Sequence, residues 1–379
     1  MIKEKFKLSF YQIKTLIFLF AICQTLLSSC QTADVPEPEV AKKSIVLPNN
    51  PNFIYHGRVD FTNSSEPRFF WAGSGFSVWF EGTSAEVILD DFDGTNYYNA
   101  IIDNNDSERV IIDCMKGETS YLIANGLESG VHKLQLLRRT DSTTPHTKFK
   151  GIEIDGDKQI VAPLKLQPSL KIEFYGNSIT SGHGILDETR QNNDDRSTWD
   201  NYHTYAAKTA RSINADYRCI SMSGIGIMVS WYPLIMPELY DRIDPNNKSK
   251  KWDFSQWQAD IVVVNLFQND SWLINNMPQI PNTEERINSY RDFIQTIRQK
   301  YPCAMIVCTL GNMDACKDGS PWTEYISSAV EKFKTEANDS NIFYVPMKYK
   351  NTDGHPTVSE HQQMADVLIP FIKNKLENR

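Results

Sequence analysis

The chain has 379 residues, 41% of them apolar and 23% charged, with 18 Gly and 18 Pro. This ordinary globular composition excludes collagen-like, coiled-coil and wholly disordered chains, and at roughly 150 residues per domain the length suggests two or three domains. The 39 Lys and Arg face 47 Asp and Glu, a formal charge of -8, and beyond the first 29 residues the balance is 35 against 46. A body that acidic offers no electrostatic footprint for a phosphate backbone, so nucleic acid is not an expected partner.

Residues 1–29 read as an address. Lys3, Lys5 and Lys7 precede the apolar run Ile17 to Cys23, which has the layout of a secretory signal and is too short for a comfortable membrane span. The run ends in Leu27-Ser28-Ser29-Cys30, which resembles the lipobox of bacterial lipoproteins. That resemblance implies cleavage before Cys30, lipidation of its thiol, and a protein anchored at the periplasm or cell surface, meeting the membrane only through the lipid. Residues 30–50 are polar, Pro-containing and non-periodic over most of their length, and are expected to be a tether. Of the five later cysteines, Cys303 and Cys308 fall on opposite faces of one strand and cannot pair. A Cys308–Cys316 bridge is open but has no specific support, and buried thiols are the simpler expectation.

Residues 51–165 form a run of short strand-like segments: 76–80, 85–89, 97–102, 109–112 and 131–137. Turn residues such as Glu81-Gly82-Thr83 and Glu128-Ser129-Gly130 separate them. With no helical window among them, they predict an antiparallel sandwich or barrel. In residues 166–379 the pattern changes to apolar β-rich runs at 171–175, 217–221, 261–266, 303–310 and 342–345, with helices between or after them. Asn282 with Glu285, and Thr357 with Glu360, read as capping boxes opening two of these helices. Ser320-Pro321 opens another, and Pro370 is expected to kink or interrupt the last. Alternating strand and helix predicts a parallel sheet covered on both faces.

Chemistry gathers at the ends of these strands, where open α/β sheets carry their sites. The first strand runs into Gly176-Asn177-Ser178-Ile179-Thr180, placing a Ser behind a Gly that allows a tight turn. In isolation such a Ser is more often a helix N-cap than a nucleophile, and no G-x-S-x-G elbow occurs. A Ser nucleophile needs a base held by a third group. His355, in Asp353-Gly354-His355-Pro356, follows the last strand, and Asp353 stands two residues before it as the group to hold the ring. His361 falls inside a helix and reads as structural, and His183 lies on the helix or loop after Ser178. Asn269, in Gln268-Asn269-Asp270, is placed to donate to an oxyanion, as is the backbone of Ser223-Gly224-Ile225-Gly226. No HExxH or Cys/His cluster calls for a metal.

The order GNSIT, SGIG, QND and DGHP resembles the SGNH (GDSL-type) hydrolases over about residues 170–375. The resemblance implies Ser178 as nucleophile, the Ser178 and Gly224 amides with the Asn269 side chain as the oxyanion hole, and His355 as base, with Gly226 the alternative to Gly224. Asn177 stands where Asp is usual. Phe267 stands where a Gly is usual and is expected to reshape that wall of the site. Asp353 lies one residue closer to its His than is common; if its carboxylate does not reach, a backbone carbonyl orients His355. The whole mature chain is similar to carbohydrate esterase family two, on segments such as Trp71-Ala72-Gly73-Ser74-Gly75 and Leu137-Arg138-Arg139-Thr140. That likeness implies a jelly-roll domain before a flavodoxin-like SGNH domain, and removal of O-acetyl groups from plant-type glycans such as xylan or glucomannan, without a cofactor. Trp272 and Trp231 are the candidate sugar platforms, whereas Trp322 falls on a helix stripe and reads as core. The alternatives are an SGNH esterase on other acyl groups, of lipase or sialic-acid O-acetylesterase type, and a glycan-binding lipoprotein without turnover.

Overall fold

The computed structural model describes residues 42–164, 168–191 and 194–378. The leader, Cys30 and most of the expected tether lie outside the described residues. Residues 43–379 form one compact unit. The tether reading ends earlier than expected, because Lys43–Val46 (β1) pairs antiparallel with Thr147–Asp155 (β9).

The N-terminal half is an antiparallel sheet of ten strands with one apolar core. Two long strands dominate it, Gly75–Asp91 (β5) and Gly117–Arg138 (β8). The expected turns at 81–83 and 128–130 lie inside these strands. Gly82 sits at φ +128°, where a Cβ would come 2.7 Å from Asp155 Oδ2. That carboxylate instead accepts from the Thr83 N–H (2.7 Å) and hydroxyl. Turn-like composition here makes a bulge, with the register shifting between Gly82 and Ser84, and bulges bend a strand without ending it. Before the bulge β5 pairs with Ile54–His56 (β2) and Ile160–Val161 (β10), and after it with β9. Phe76, Val78 and Phe80 from the first half and Ala85, Val87 and Leu89 from the second are all buried in the same core. Val59–Asp60 (β3) and Arg68–Phe69 (β4) extend the β9 edge, and Tyr97–Ile102 (β6) and Val110–Asp113 (β7) the β8 edge.

The second half is a five-stranded parallel sheet in which residues 215–221, 170–176, 261–265, 305–309 and 342–344 lie side by side in that order. Its strands are Leu170–Gly176 (β11), Ala215–Ser221 (β12), Ile261–Asn265 (β13), Met305–Thr309 (β14) and Ile342–Tyr344 (β15). All five residues of β13 are buried. Val262 and Val264 face Thr283–Lys300 (α5) and Trp322–Ala337 (α6), whereas Ile261 and Val263 face Tyr205–Ser212 (α2) and Val358–Glu377 (α7). The short helices Ser178–Ser181 (α1), Met236–Leu239 (α3) and Gln268–Leu273 (α4) complete the set. Both capping boxes form. Pro370 does not interrupt α7: Leu368 and Ile372 on either side of it are fully buried, and their packing outweighs the lost N–H bond. The five later cysteines are free, with Cys303 exposed and the others buried, so no Cys308–Cys316 bridge exists.

Two buried clusters join the halves. Arg58 and Glu173, both fully buried, pair at 3.0 Å across the junction. Arg58 also donates to the Tyr240 carbonyl (2.6 Å) and Tyr175 hydroxyl (2.9 Å), and the Tyr175 and Tyr301 hydroxyls donate to Glu173. Every lone pair and proton of the pair thus has a partner, the condition under which a buried ion pair is tolerated. The second cluster, around Arg139 and Asp141, reaches the site.

Candidate active site

The parallel sheet reverses strand order at β11, whose neighbours are β12 and β13, and ligands bind at such switch points. Gly176 at the end of β11 is level with Ser221 of β12 and Asn265 of β13. The chain can turn there because Gly176 has no side chain, since a Cβ would meet Thr180 Oγ1 at 2.0 Å. Asn177 in extended backbone caps α1, its Oδ1 accepting from the Ile179 N–H at 3.0 Å. Its Nδ2 is buried with no hydrogen-bond partner among the described residues, an amide cost that the usual Asp would not carry. Ser178 then occupies the first helical position, 6% exposed, and a first-turn N–H has no intrahelical acceptor.

After β12 the chain loops back over this edge. Gly224 has φ +84°, and a side chain there would run into Tyr232 and Trp231. The loop is held from beneath by Asp270 in α4, which is fully buried and accepts from the N–H groups of Ile227, Met228 and Val229. Burial raises the Asp270 carboxyl to about 6, against the opposing effect of those N–H bonds. Asn269, 2% exposed, donates from Nδ2 to the Ile225 carbonyl at 2.8 Å and accepts from Trp231 Nε1 at 3.2 Å. These two bonds fix which end of the amide is the donor and leave its second Nδ2 hydrogen available. Phe267, expected to reshape the site wall, does not line it. It adopts φ +85°, the left-handed region that favours Gly, and its fully buried ring packs edge-on to Tyr290 (4.9 Å) and Trp322 (5.2 Å).

His355 lies against His183, their rings 4.4 Å apart, and the His183 backbone N–H donates to the Ser178 carbonyl. Burial, then His183, His361 and Lys350, hold the His355 pKa well below the usual value, so the ring is neutral and able to take a proton. Asp353 does not act as expected. Its carbonyl accepts from Arg190 (2.6 Å) and Lys350 (2.8 Å), the residue is exposed, and among the described residues no hydrogen bond or ion pair joins its carboxylate to His355. With only one residue between them, the loop presents the Asp353 backbone to its anchors and the side chain to solvent. His361 is buried in α7, where Nδ1 accepts from the Tyr205 N–H.

Trp231 is 64% exposed and overhangs Gly224 and Asn269; Trp272, 39% exposed, donates to Asp314 at 2.8 Å. Trp322 is core. A cavity of about 660 Å³ lies elsewhere, between Trp79, Lys133 and Gln135 of the β half and Tyr202, Arg211 and Tyr217 of the α/β half, and neither Ser178 nor His355 lines it. Among the described residues no cluster of His, Cys, Asp or Glu could hold a metal ion, and no helix is long and apolar enough to cross a membrane.

The sequence alone does not mark Asp270 as the anchor of the Gly224 loop, although it stands next to Asn269. Nor does it mark Asp141, since Asp141-Ser142-Thr143-Thr144-Pro145 reads only as a turn.

Residues 55–163 match the family model described as carbohydrate esterase 2 N-terminal, and residues 174–368 match that of the GDSL-like lipase/acylhydrolase family. Cellulase/esterase CelE of Acetivibrio thermocellus is 30% identical over 342 residues, covering 86% of this chain and 40% of that protein, so the chain spans less than half of that relative. An acetylxylan esterase / glucomannan deacetylase of Cellvibrio japonicus is 23% identical over 342 residues, 88% of this chain and 91% of that one. The structure of a family two carbohydrate esterase from Clostridium thermocellum in complex with cellohexaose superposes with a TM-score of 0.76 at 29% identity, covering 86% of this chain and 99% of the other.

Proposed function

The chain belongs to the GDSL-like lipase/acylhydrolase family, and from that premise we propose that it is a serine carbohydrate esterase removing O-acetyl groups from plant-type polysaccharides or oligosaccharides. The observation that carries the reading is the grouping of Ser178, the Gly224 loop, Asn269 and a neutral His355 at one switch point, joined by the His183 and Ile225 contacts. The substrate class rests on the carbohydrate esterase match of residues 55–163 and on relatives described as acetylxylan esterase / glucomannan deacetylase. Exposed Trp231, which donates to Asn269, and exposed Trp272, on the same short helix as Asn269, suit a sugar ring.

In this reading His355 takes the Ser178 hydroxyl proton as Oγ attacks the acetyl carbonyl carbon. The Ser178 and Gly224 N–H groups and the Asn269 amide receive the oxyanion, each donor worth roughly 3–4 kcal/mol in the transition state. The sugar oxygen leaves with the proton from His355. Water, deprotonated by the same ring, then attacks the acetyl carbon; the Ser178 Oγ–carbon bond breaks, Oγ takes the proton back from His355, and acetate leaves. His355 works with Ser178 as a dyad, without the carboxylate of Asp353.

Acetate release from acetylated xylan, acetylated glucomannan and 4-nitrophenyl acetate, wild type against Ser178→Ala, tests this. The expected result is release that disappears in the variant, with no activity on long-chain esters. Long-chain activity would move the assignment to a lipase-type esterase, and no release from any acetylated glycan would leave a binding protein. The lipid anchor at Cys30 is a separate proposal, resting on Leu27-Ser28-Ser29-Cys30 alone. Cys30→Ser should release the protein from the membrane fraction, and unchanged retention would overturn the anchor.

A further inference from the structure

The Asp353 carboxylate does not hold His355, and the ring that lies against it is that of His183. His183 is 8% exposed and is sandwiched: Trp199 lies on it at 4.1 Å and 33°, His355 at 4.4 Å and 36°. Its Nδ1 is 3.1 Å from Ser223 Oγ. The Ser223 hydroxyl donates its own hydrogen to Asp141 Oδ2 at 2.6 Å, and the Ser223 N–H donates to the same oxygen at 2.7 Å. With its hydrogen committed to Asp141, Ser223 Oγ faces His183 as an acceptor, so Nδ1 carries the ring proton. Asp194 Oδ1, on a fully exposed side chain, stands 3.3 Å from Nε2.

Asp141 belongs to the β half, on the loop that follows β8, and is itself fully buried. The same loop grips the other wall. Arg139 donates to the Trp199 carbonyl at 2.9 Å and the Ser197 carbonyl at 2.7 Å, and Asn99 of β6 donates to Asp200 at 2.8 Å. Ser142 holds the end of β12 through the Ser221 carbonyl at 2.9 Å. One loop of the N-terminal domain therefore sets both segments between which His183 stands.

We infer that His183 is a positioning residue for His355, and that the N-terminal β domain completes the esterase site by holding His183 through Asp141, Ser223 and Arg139. The inference rests on the Ser178–His355 reading above. It gives the β domain a part in the reaction without contact to the reacting atoms: an acid from a different domain orients the base through a hydroxyl and a second imidazole. The groups facing His355 include His183, His361 and Lys350, and those facing His183 include Asp141 and Asp194.

The experiment is steady-state hydrolysis of 4-nitrophenyl acetate from pH 5 to 9 by wild type, Ser178→Ala, His183→Ala, His183→Phe and Ser223→Ala, each first checked for a wild-type melting curve. A base displaced by about 1 Å costs on the order of 100-fold. His183→Ala should lose roughly 30- to 100-fold in kcat with KM within about threefold, and the acid limb of its kcat/KM profile should move to higher pH as water reaches His355. His183→Phe, which keeps a ring in the stack and loses the Ser223 bond, should recover about half of that loss on a logarithmic scale. Ser223→Ala, the mildest change, should lose roughly five- to tenfold. Wild-type kcat and an unmoved acid limb in His183→Ala and Ser223→Ala, with Ser178→Ala inactive, would overturn this inference alone. So would a kcat loss in which the acid limb stays put and His183→Phe is no better than Ala. Activity surviving in Ser178→Ala would overturn it together with the esterase reading.

Discussion

Replacing Asp270 by asparagine separates the charge of its carboxyl group from its shape. In the wild type, burial lifts the carboxyl from 3.8 to about 6 although three backbone N–H groups donate to it. A difference of that size is about 3 kcal/mol between the two protonation states. An acid whose folded-state pKa exceeds its unfolded value makes the folded state bind the proton more tightly. Its contribution to stability is full below about pH 4 and is lost as pH rises through about 6. Asparagine has no proton to lose. Its oxygen can take the place of Oδ1, which accepts from Ile227 (3.1 Å), Met228 (2.6 Å) and Val229 (3.2 Å). Its nitrogen then opposes the Ile227 N–H where Oδ2 now accepts at 3.0 Å, a cost of about 1–2 kcal/mol. Asp270→Asn should therefore be about 1–2 kcal/mol less stable than wild type at pH 4, and equal to it or about 1 kcal/mol more stable at pH 7.5. Guanidinium unfolding followed by tryptophan fluorescence at the two pH values measures this. A stability difference that is the same at both, within about 0.5 kcal/mol, would refute the reasoning and show that the N–H bonds, not burial, govern the group.

Asn269→Ala should lower kcat by about 10²- to 10³-fold with little change in KM, since it removes an oxyanion donor; acetate-release kinetics at saturating substrate decide it, and a loss confined to KM would speak for ground-state binding. At position 267 the usual order of substitutions should invert. Phe267→Ala forfeits about 3–5 kcal/mol of ring burial and keeps the strained φ, whereas Phe267→Gly relieves about 1 kcal/mol of that strain, so the glycine variant should melt higher. Glu173→Gln leaves Arg58 buried without its anion and should cost about 3–5 kcal/mol, measured as a fall in the denaturation midpoint.

How much of this was legible depends on how many constraints met at one residue. The central parallel strand, Ile261–Asn265, was plain because burial on both faces forces an unbroken apolar run. The capping boxes at Asn282 and Thr357 were plain because both partners lie within four residues. By contrast, Gly75–Asp91 looked like two strands: Glu81-Gly82-Thr83 has turn composition, and only Asp155, some seventy residues away, makes it a bulge. The same distance effect divides the site. Ser178, Asn269 and His355 could be placed because each follows a strand that ends at one edge. Asp141 could not, because its role depends on a contact across two folds. Asp353 misled because adjacency in sequence says nothing of whether a loop offers its side chain or its carbonyl.

The Arg58–Glu173 pair has a consequence for how the molecule comes apart. Pulling the two sheets from each other would take from Arg58 its acceptors on Glu173, Tyr175, Tyr240 and Arg242 and from Glu173 its cation, and would free Asp141 from the Ser223 loop at the same moment. Neither half retains a satisfied interior when the other leaves. The place where sheet type changes, between β10 and β11, is therefore a boundary of architecture and not of cooperativity. A gene fragment beginning at Leu170 inherits the reacting side chains but not the conditions under which they hold their shape, and heat should melt residues 43–379 in a single calorimetric transition.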